Sequence, residues 1–430
     1  MSDKIIAVHA QQIIDCKCRP AVEVEVRNES GAIGRGAAPT GTSVGMHEAF
    51  VLRDGDPASY GGLGVHKAVN MVVDVIGPAI IGMDVFDQRA IDQRMVDLDG
   101  TPDKRALGGN AIYSTSIAVL RAAADARRIP VYEYLSGTPI KTVPVPCFNV
   151  INGGTYDGFT QSFNEFLIVP YGAASIDDAV EMAVDVFRTL SEVLTDHLGR
   201  KPGIASSYGY AAPSDDPELL LDLMQSAIER AGHQDAFAFA LDCASSEFFD
   251  KATQTYLLKG ERVSSAELIA YARDLTEKFN LVFIEDLLDE NDWDGYQLAT
   301  QQLKRTLVIG DDLTVTKLEF LKRAREIKAV DGFVLKPNQV GTISEALDAY
   351  RYATEHGMVA IPSGRSGGVV DDVVMDLSVG LQVPLQKNGA PRSGERIEKL
   401  NFLMRANARS KGCRLFDIKP MLRFPPSSSQ

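Results

Sequence analysis

The chain has 430 residues, 45% of them hydrophobic and 24% charged, with a formal net charge of −14 and a pI near 5.0. That length predicts two or more domains, or one barrel with an addition, and it is ample for a large core. The acidity excludes nonspecific binding to nucleic acid or to an anionic membrane, so an anionic ligand must be met by cations gathered locally.

No stretch approaches the roughly 18 uninterrupted apolar residues of a membrane span, and the N-terminus lacks a signal-peptide pattern, which predicts a cytoplasmic protein. Cys16, Cys18, Cys147, Cys243 and Cys413 form no Cys-x-x-Cys pair and read as reduced thiols. Cys16-x-Cys18 lacks the second pair of a metal site, and the sequon Asn28-Glu29-Ser30 means little without secretion.

Residues 4–26 alternate in polarity, and Ala-Val-Glu-Val-Glu-Val (21–26) is a strand with one apolar and one acidic face, followed by a hairpin through 34–38. An N-terminal antiparallel sheet is expected. The loop Pro-Thr-Gly-Thr-Ser-Val-Gly (39–45) reads, taken alone, as a plain connection. Helical spacing then covers 63–82, 84–97 and 108–127, and glycine and prolines around residue 140 mark a boundary between segments 1–138 and 139–430. Beyond it, Phe148 to Gly154 reads as a strand into a Gly-rich loop, and 166–170 as a strand, preceded by Glu165. Helices follow at about 175–198 and 215–232.

Between 237 and 366, five short apolar runs each stop at a polar group: at Asp242, at Glu285, at Asp311 and Asp312, at Lys336, and at 363–366. Continuous apolar runs separated by helical segments are the pattern of parallel strands buried on both faces. In a βα barrel the C-terminal ends of strands converge on one mouth, so three carboxylates, a lysine and an arginine would meet there, as a divalent-metal site with a base beside it. A last strand at 381–385 leading to Lys387, a helix over 396–409 and a frayed tail over 425–430 complete the reading. No internal repeat, G-x-G-x-x-G or P-loop is present. The G-x-S-x-G match at 364–368 is accidental, because no histidine follows His356 to serve a hydrolase triad.

At this point the chain resembles an enolase from its first strand to its last helix. The residues that carry the resemblance are Leu-Asp-Cys-Ala-Ser-Ser-Glu-Phe-Phe (241–249), Ile-Glu-Asp (284–286), Gly-Asp-Asp-Leu-Thr-Val-Thr (310–316), Leu-Lys-Pro-Asn-Gln-Val-Gly (335–341) and Lys-Asn-Gly-Ala-Pro (387–391). The resemblance implies an α/β protein, an enolase-type TIM (β/α)8 barrel with an N-terminal α+β capping domain, assembled as a homodimer or higher homo-oligomer. It implies that Asp242, Glu285 and Asp311 hold Mg²⁺, and that Ser43 of the capping loop closes on a second Mg²⁺. Lys336 resembles the base that takes the proton beside the substrate carboxylate, as lysine or histidine does in this superfamily. Lys387 resembles the lysine that steadies that carboxylate, Arg365 and Ser366 the phosphate grip, and Glu165 a polar partner near the leaving group. Salt bridges around a barrel mouth are the competing reading, a fair one for Glu165.

Three departures stand out. Tyr156 replaces the family's loop histidine, Ser-Ser-Tyr-Gly-Tyr (206–210) replaces the stretch bearing the general acid, and Gly364 replaces a histidine before Arg365. His47 resembles a structural loop residue. Losing a general acid costs on the order of 10² to 10⁴ in rate, and Tyr208 is the remaining candidate donor. Exchange of Glu for Tyr removes negative charge and exchange of His for Gly opens a gap, both of which favour a larger, more anionic ligand. The leading expectation is an enzyme resembling carboxyphosphonoenolpyruvate synthase, acting on a phosphorylated or phosphonylated three-carbon acid with a nucleotide-activated phosphonate donor. The alternatives are an enolase that dehydrates 2-phosphoglycerate to phosphoenolpyruvate with an altered acid, and a noncatalytic binding protein.

Overall fold

A computed structural model of the chain describes residues 2–41 and 45–424. Ser43 and the tail from 425 lie outside the described residues. Strands β1 (Ile5–Ile14), β2 (Pro20–Asn28) and β3 (Ile33–Ala37) form an antiparallel sheet in that order. The period-two pattern decides its faces. Val22, Val24 and Val26 are buried, while Glu23 accepts from Gln11 at 2.8 Å and Glu25 from Arg35 at 2.9 Å on the other side.

The segment expected to be one helix over 63–82 is broken. Helical turns at His66–Met71 and Gly77–Ile80 flank a π-turn at Val72–Ile76. Pro78 has no N–H to give four residues back, so the hydrogen-bond ladder widens just before it. Helices α1 (Gln88–Asp99) and α2 (Gly109–Arg127) lie within a few residues of their expected spans. The buried face of the sheet packs on α2, and Gly34 makes that approach close: a Cβ there would stand 2.0 Å from the Ala118 carbonyl oxygen.

The rest of the chain alternates strand and helix. In order come β4 (Val145–Tyr156), β5 (Phe159–Val169), α3 (Ile176–Leu198), α4 (Pro217–Arg230), β6 (Ala238–Asp242), α5 (Ser265–Lys278), β7 (Leu281–Glu285) and α6 (Trp293–Gln302). Then follow β8 (Leu307–Gly310), α7 (Leu318–Glu326), β9 (Gly332–Leu335), α8 (Ile343–Glu355), β10 (Val359–Pro362), α9 (Val374–Gly380), β11 (Leu385–Lys387) and α10 (Gly394–Arg409). The sheet order is β10-β9-β8-β7-β6-β5-β4-β11, and a parallel bridge from Ser363 to Lys387 joins its two ends. The result is an eight-stranded barrel in which β5 alone runs against its neighbours. Strands β6 to β9 are buried along their whole lengths, as their unbroken apolar runs require.

Two expectations need correction here. The Gly-rich loop after 152 is strand: β4 continues through Gly153 and Gly154 to a hairpin at Tyr156 and Phe159, because glycine lets the backbone pass where a Cβ at 153 would lie 1.9 Å from the Phe163 carbonyl oxygen. The last strand of the barrel begins at Leu385 rather than 381, since α9 and its turn occupy the residues before it.

The N-terminal layer docks on the barrel through a buried carboxylate. Asp92 of α1 accepts from the backbone N–H of Ser344, at the start of α8, at 3.0 Å, and from Gln88 at 3.0 Å. Burial pushes its pKa up to about 6, against the lowering effect of those hydrogen bonds.

Two outcomes follow from these contacts. Gly34→Ala drives a methyl into the α2 backbone and should cost on the order of 3 kcal/mol, read as a lowered urea midpoint, whereas Gly394→Ala, with open space at its Cβ, should be near neutral. Because the folded pKa of Asp92 lies above its unfolded value, the native state holds the extra proton between pH ~4 and ~6, and stability falls as pH rises through that window. The loss is on the order of 3 kcal/mol and should vanish from the pH profile of Asp92→Asn.

Candidate active site

The strand ends meet around a cavity of about 410 Å³. Asp242 closes β6, Glu285 closes β7, Asp311 follows β8, Lys336 follows β9 and Lys387 closes β11. The Lys387 Nζ lies 3.0 Å from Asp242 Oδ2 and 3.4 Å from Glu165 Oε2, and it donates to Glu285 Oε2. Lys336 donates to Asp311 Oδ2, whose Oδ1 accepts from Gln339 at 2.8 Å. Asn149 donates to Glu165 at 3.0 Å.

Charge sharing in this dry space sets the protonation of each group. Burial pushes Glu285 well above the carboxylate range, with Asp242 adding to it, and burial likewise raises Asp242. Asp311 is driven up by burial as well, but Lys336 more than offsets this and holds its carboxyl below the ordinary value. Burial favours the neutral amine at Lys336 and Lys387, yet Asp311 in the first case and Asp242 and Glu285 in the second outweigh it, so both stand above the ordinary lysine value.

A second acidic group stands beside the first: one oxygen from each of Asp286, Asp311 and Asp312 lies within 4.8 Å of the others. Asp286 serves as an anchor there. Its two oxygens accept from the backbone N–H groups of Asp311 and Asp312, each at 2.8 Å, and Tyr296 donates to it at 3.2 Å. Burial and neighbouring carboxylates push Asp286 to about 7 and Asp312 to about 9.

The cavity wall also carries Ser363, Gly364, Arg365 and Ser366. Arg365 makes a two-pronged pair with Glu48, at 2.7 and 3.0 Å, both side chains being buried. This loop is tied to the N-terminal layer by two backbone hydrogen bonds between Thr40 and Gly367, at 3.1 and 3.0 Å, while Arg19 holds the Thr40 carbonyl at 3.0 Å. Gly41 thereby reaches the cavity wall.

Two of the expected site residues are turned elsewhere. Tyr208 donates its hydroxyl to the Cys16 carbonyl at 2.9 Å, and Ser206 and Ser207 line the cavity in its place. Tyr156 donates to the Gly153 carbonyl at 2.9 Å, folding back on its own hairpin, while Gly153 and Gly154 face the cavity. The gap expected at Gly364 is also filled: a Cβ there would stand 2.3 Å from Lys399 Nζ. Glu48, Gln339, Asn164, Asn388, Arg396 and Lys399 were not anticipated. Gln339 and Asn388 sit inside quoted motifs, and Arg396 and Lys399 share a helix face three residues apart, but only the fold brings that face to the barrel mouth.

A family model described as Enolase, N-terminal domain matches residues 5–135, and one described as Enolase, C-terminal TIM barrel domain matches residues 140–412. The chain belongs to the enolase family. Its barrel and N-terminal layer are those of that family, and the family is one of enzymes that generally bind Mg²⁺. The residues of this enolase-family chain fit such an ion: buried carboxylates offer hard oxygens, and Glu285 Oε1 is buried without any hydrogen-bond partner. Asp242, Glu285 and Asp311 would hold it. Among the described residues no helix is long and apolar enough to cross a membrane.

If Asp286 works by fixing the Asp311 loop, Asp286→Asn should lower Mg²⁺ affinity about 10- to 100-fold, the usual cost of removing a group that orients a ligand. Calorimetric titration reads this directly. Glu285→Gln should abolish binding, and wild-type affinity in either variant would show that the cation sits elsewhere.

Proposed function

We propose that this enolase-family enzyme transfers a phosphonoformyl group, in the manner of a carboxyphosphonoenolpyruvate synthase, to a phosphorylated three-carbon acid. The observation that carries this reading is the loop at 206–210. It offers the cavity two serines and no carboxyl, and the Tyr208 hydroxyl, raised above its ordinary pKa by burial and by Cys16, is already spent on a carbonyl. Expelling hydroxide from 2-phosphoglycerate calls for a proton donor at that position. Expelling a nucleoside phosphate from an activated phosphonoformate does not, because that group leaves as a stable anion.

In this reading an acceptor oxygen attacks phosphorus, the P–O bond to the nucleotide breaks, and the nucleoside phosphate carries off the electron pair. Arg365 and Ser366 hold the acceptor's phosphate, and Lys387 steadies its carboxylate. Lys336, kept charged by Asp311, holds charge against an acceptor that is already an enol. Bound Mg²⁺ supplies positive charge against the anionic groups it meets. The assembly proposed is a homodimer or larger homo-oligomer, and Ser43 is retained as the loop ligand to a second Mg²⁺.

Protein with Mg²⁺, a nucleotide-activated phosphonoformate and either phosphoenolpyruvate or 2-phosphoglycerate should give a new phosphonate resonance in the phosphorus NMR spectrum. Conversion of 2-phosphoglycerate alone to phosphoenolpyruvate, followed by ultraviolet absorbance, should stay below about 1 s⁻¹, the low end of ordinary turnover. Faster dehydration with no new phosphonate signal would reverse the assignment in favour of an enolase.

A further inference from the structure

Three side chains that line the cavity have no part in the chemistry assigned so far. Arg396 and Lys399 project from the first turns of α10, and Asn388 follows Lys387. All three are buried, at 4%, 4% and 1% exposure. Neither the nitrogen nor the oxygen of the Asn388 amide has a hydrogen-bond partner, and Arg396 Nε has none. A buried amide left open on both sides at a cavity wall is costly unless a ligand completes it.

The backbone has been cleared for these groups. Lys399 Nζ occupies the place a side chain at 364 would take, and Arg396 Nη1 lies 2.0 Å from where a Cβ at Gly389 would stand. The charges that balance them stand behind. Glu395 Oε1 is 2.5 Å from Lys399 Nζ, Glu395 Oε2 is 3.7 Å from Arg396 Nε, and Asp372 Oδ2 is 3.5 Å from the same vacant Cβ position at 364. Neither Glu395 nor Asp372 lines the cavity. Cations forward and carboxylates behind is the arrangement of Arg365 and Glu48 as well, where the arginine faces the cavity and the glutamate does not.

We infer that Lys399, Arg396 and Asn388 form a second oxyanion subsite next to the Arg365 grip, one that takes the phosphonate or carboxylate end of a co-substrate while the first grip holds the acceptor. The inference deepens the transfer reading and rests on it for the identity of the first ligand. A two-substrate transfer needs two anionic groups held apart at once, and one arginine cannot hold both. The chemistry that this subsite recognises is a small doubly charged oxyanion, with the two cations supplying charge-assisted hydrogen bonds and the amide fixing orientation.

The test is calorimetric titration of the Mg²⁺-loaded full chain with phosphonoformate, before and after saturation with phosphoenolpyruvate. The subsite predicts that phosphonoformate still binds to the saturated protein. Gly364→Ala presses a methyl against the flexible end of Lys399 without removing a charge. Lys399→Met combined with Glu395→Gln removes both members of the ion pair and leaves the net charge unchanged. Each should weaken phosphonoformate about tenfold or more beyond any change in phosphoenolpyruvate affinity. Displacement of one ligand by the other, equal loss of both in the variants, or no phosphonoformate binding at all would overturn the subsite. If phosphoenolpyruvate fails to bind while phosphonoformate binds and depends on Lys399, the subsite stands and the transfer reading falls.

Discussion

Two ammonium groups and three carboxylates share the mouth of this barrel, and neither set is stable there without the other. A single unpaired charge in such a place costs several kcal/mol, and removing one partner of a buried pair strands the other. The ammoniums of Lys336 and Lys387 therefore act as internal counterions that let Asp242, Glu285 and Asp311 stand together at the strand ends. The barrel sheet exists to deliver them. Each of the strands β6 to β9 is an apolar run that ends where its chemistry begins, so burial on both faces fixes where every charged tip emerges.

The same economy of charge explains how an acidic protein meets an anionic ligand. Cations on the wall are held from behind by acids that do not reach the cavity: Glu48 behind Arg365, and Glu395 behind Lys399. Such backing keeps each cation rigid and charged at the cavity wall. It also makes the N-terminal layer part of the site. Glu48 comes from that layer, and the backbone pairing of Thr40 with Gly367 brings the Arg365 loop and the layer together.

The strands and their polar tips were legible because period and run length are local properties of a sequence. The N-terminal alternation at 21–26 and the five runs after 237 each carry their own signal. What was not legible is made of contacts between distant segments. Nothing near Gly364 announces that Lys399, 35 residues on, fills its vacancy, and nothing near Tyr208 announces that Cys16 supplies the carbonyl that takes its hydroxyl. The π-turn before Pro78 was readable in principle, since a proline inside a helical pattern always removes a donor. The strand through Gly153 was not, because adjacent glycines suggest a loop until a neighbouring backbone is seen to need the space.

The proton inventory of the cavity constrains its chemistry more tightly than its shape does. Lys336 is held charged by Asp311, Lys387 is held charged by Asp242 and Glu285, and the Tyr208 hydroxyl is engaged away from the ligand. Groups that hold protons this firmly neutralise charge well and release protons poorly. Asp286 and Asp312 line the same cavity, and burial with neighbouring carboxylates, which pushes them to about 7 and about 9, makes them the carboxyls there that can carry a proton near neutrality. Five cationic side chains, Lys336, Arg365, Lys387, Arg396 and Lys399, line the cavity. They let a chain with a formal net charge of −14 present positive charge where an anionic ligand would enter.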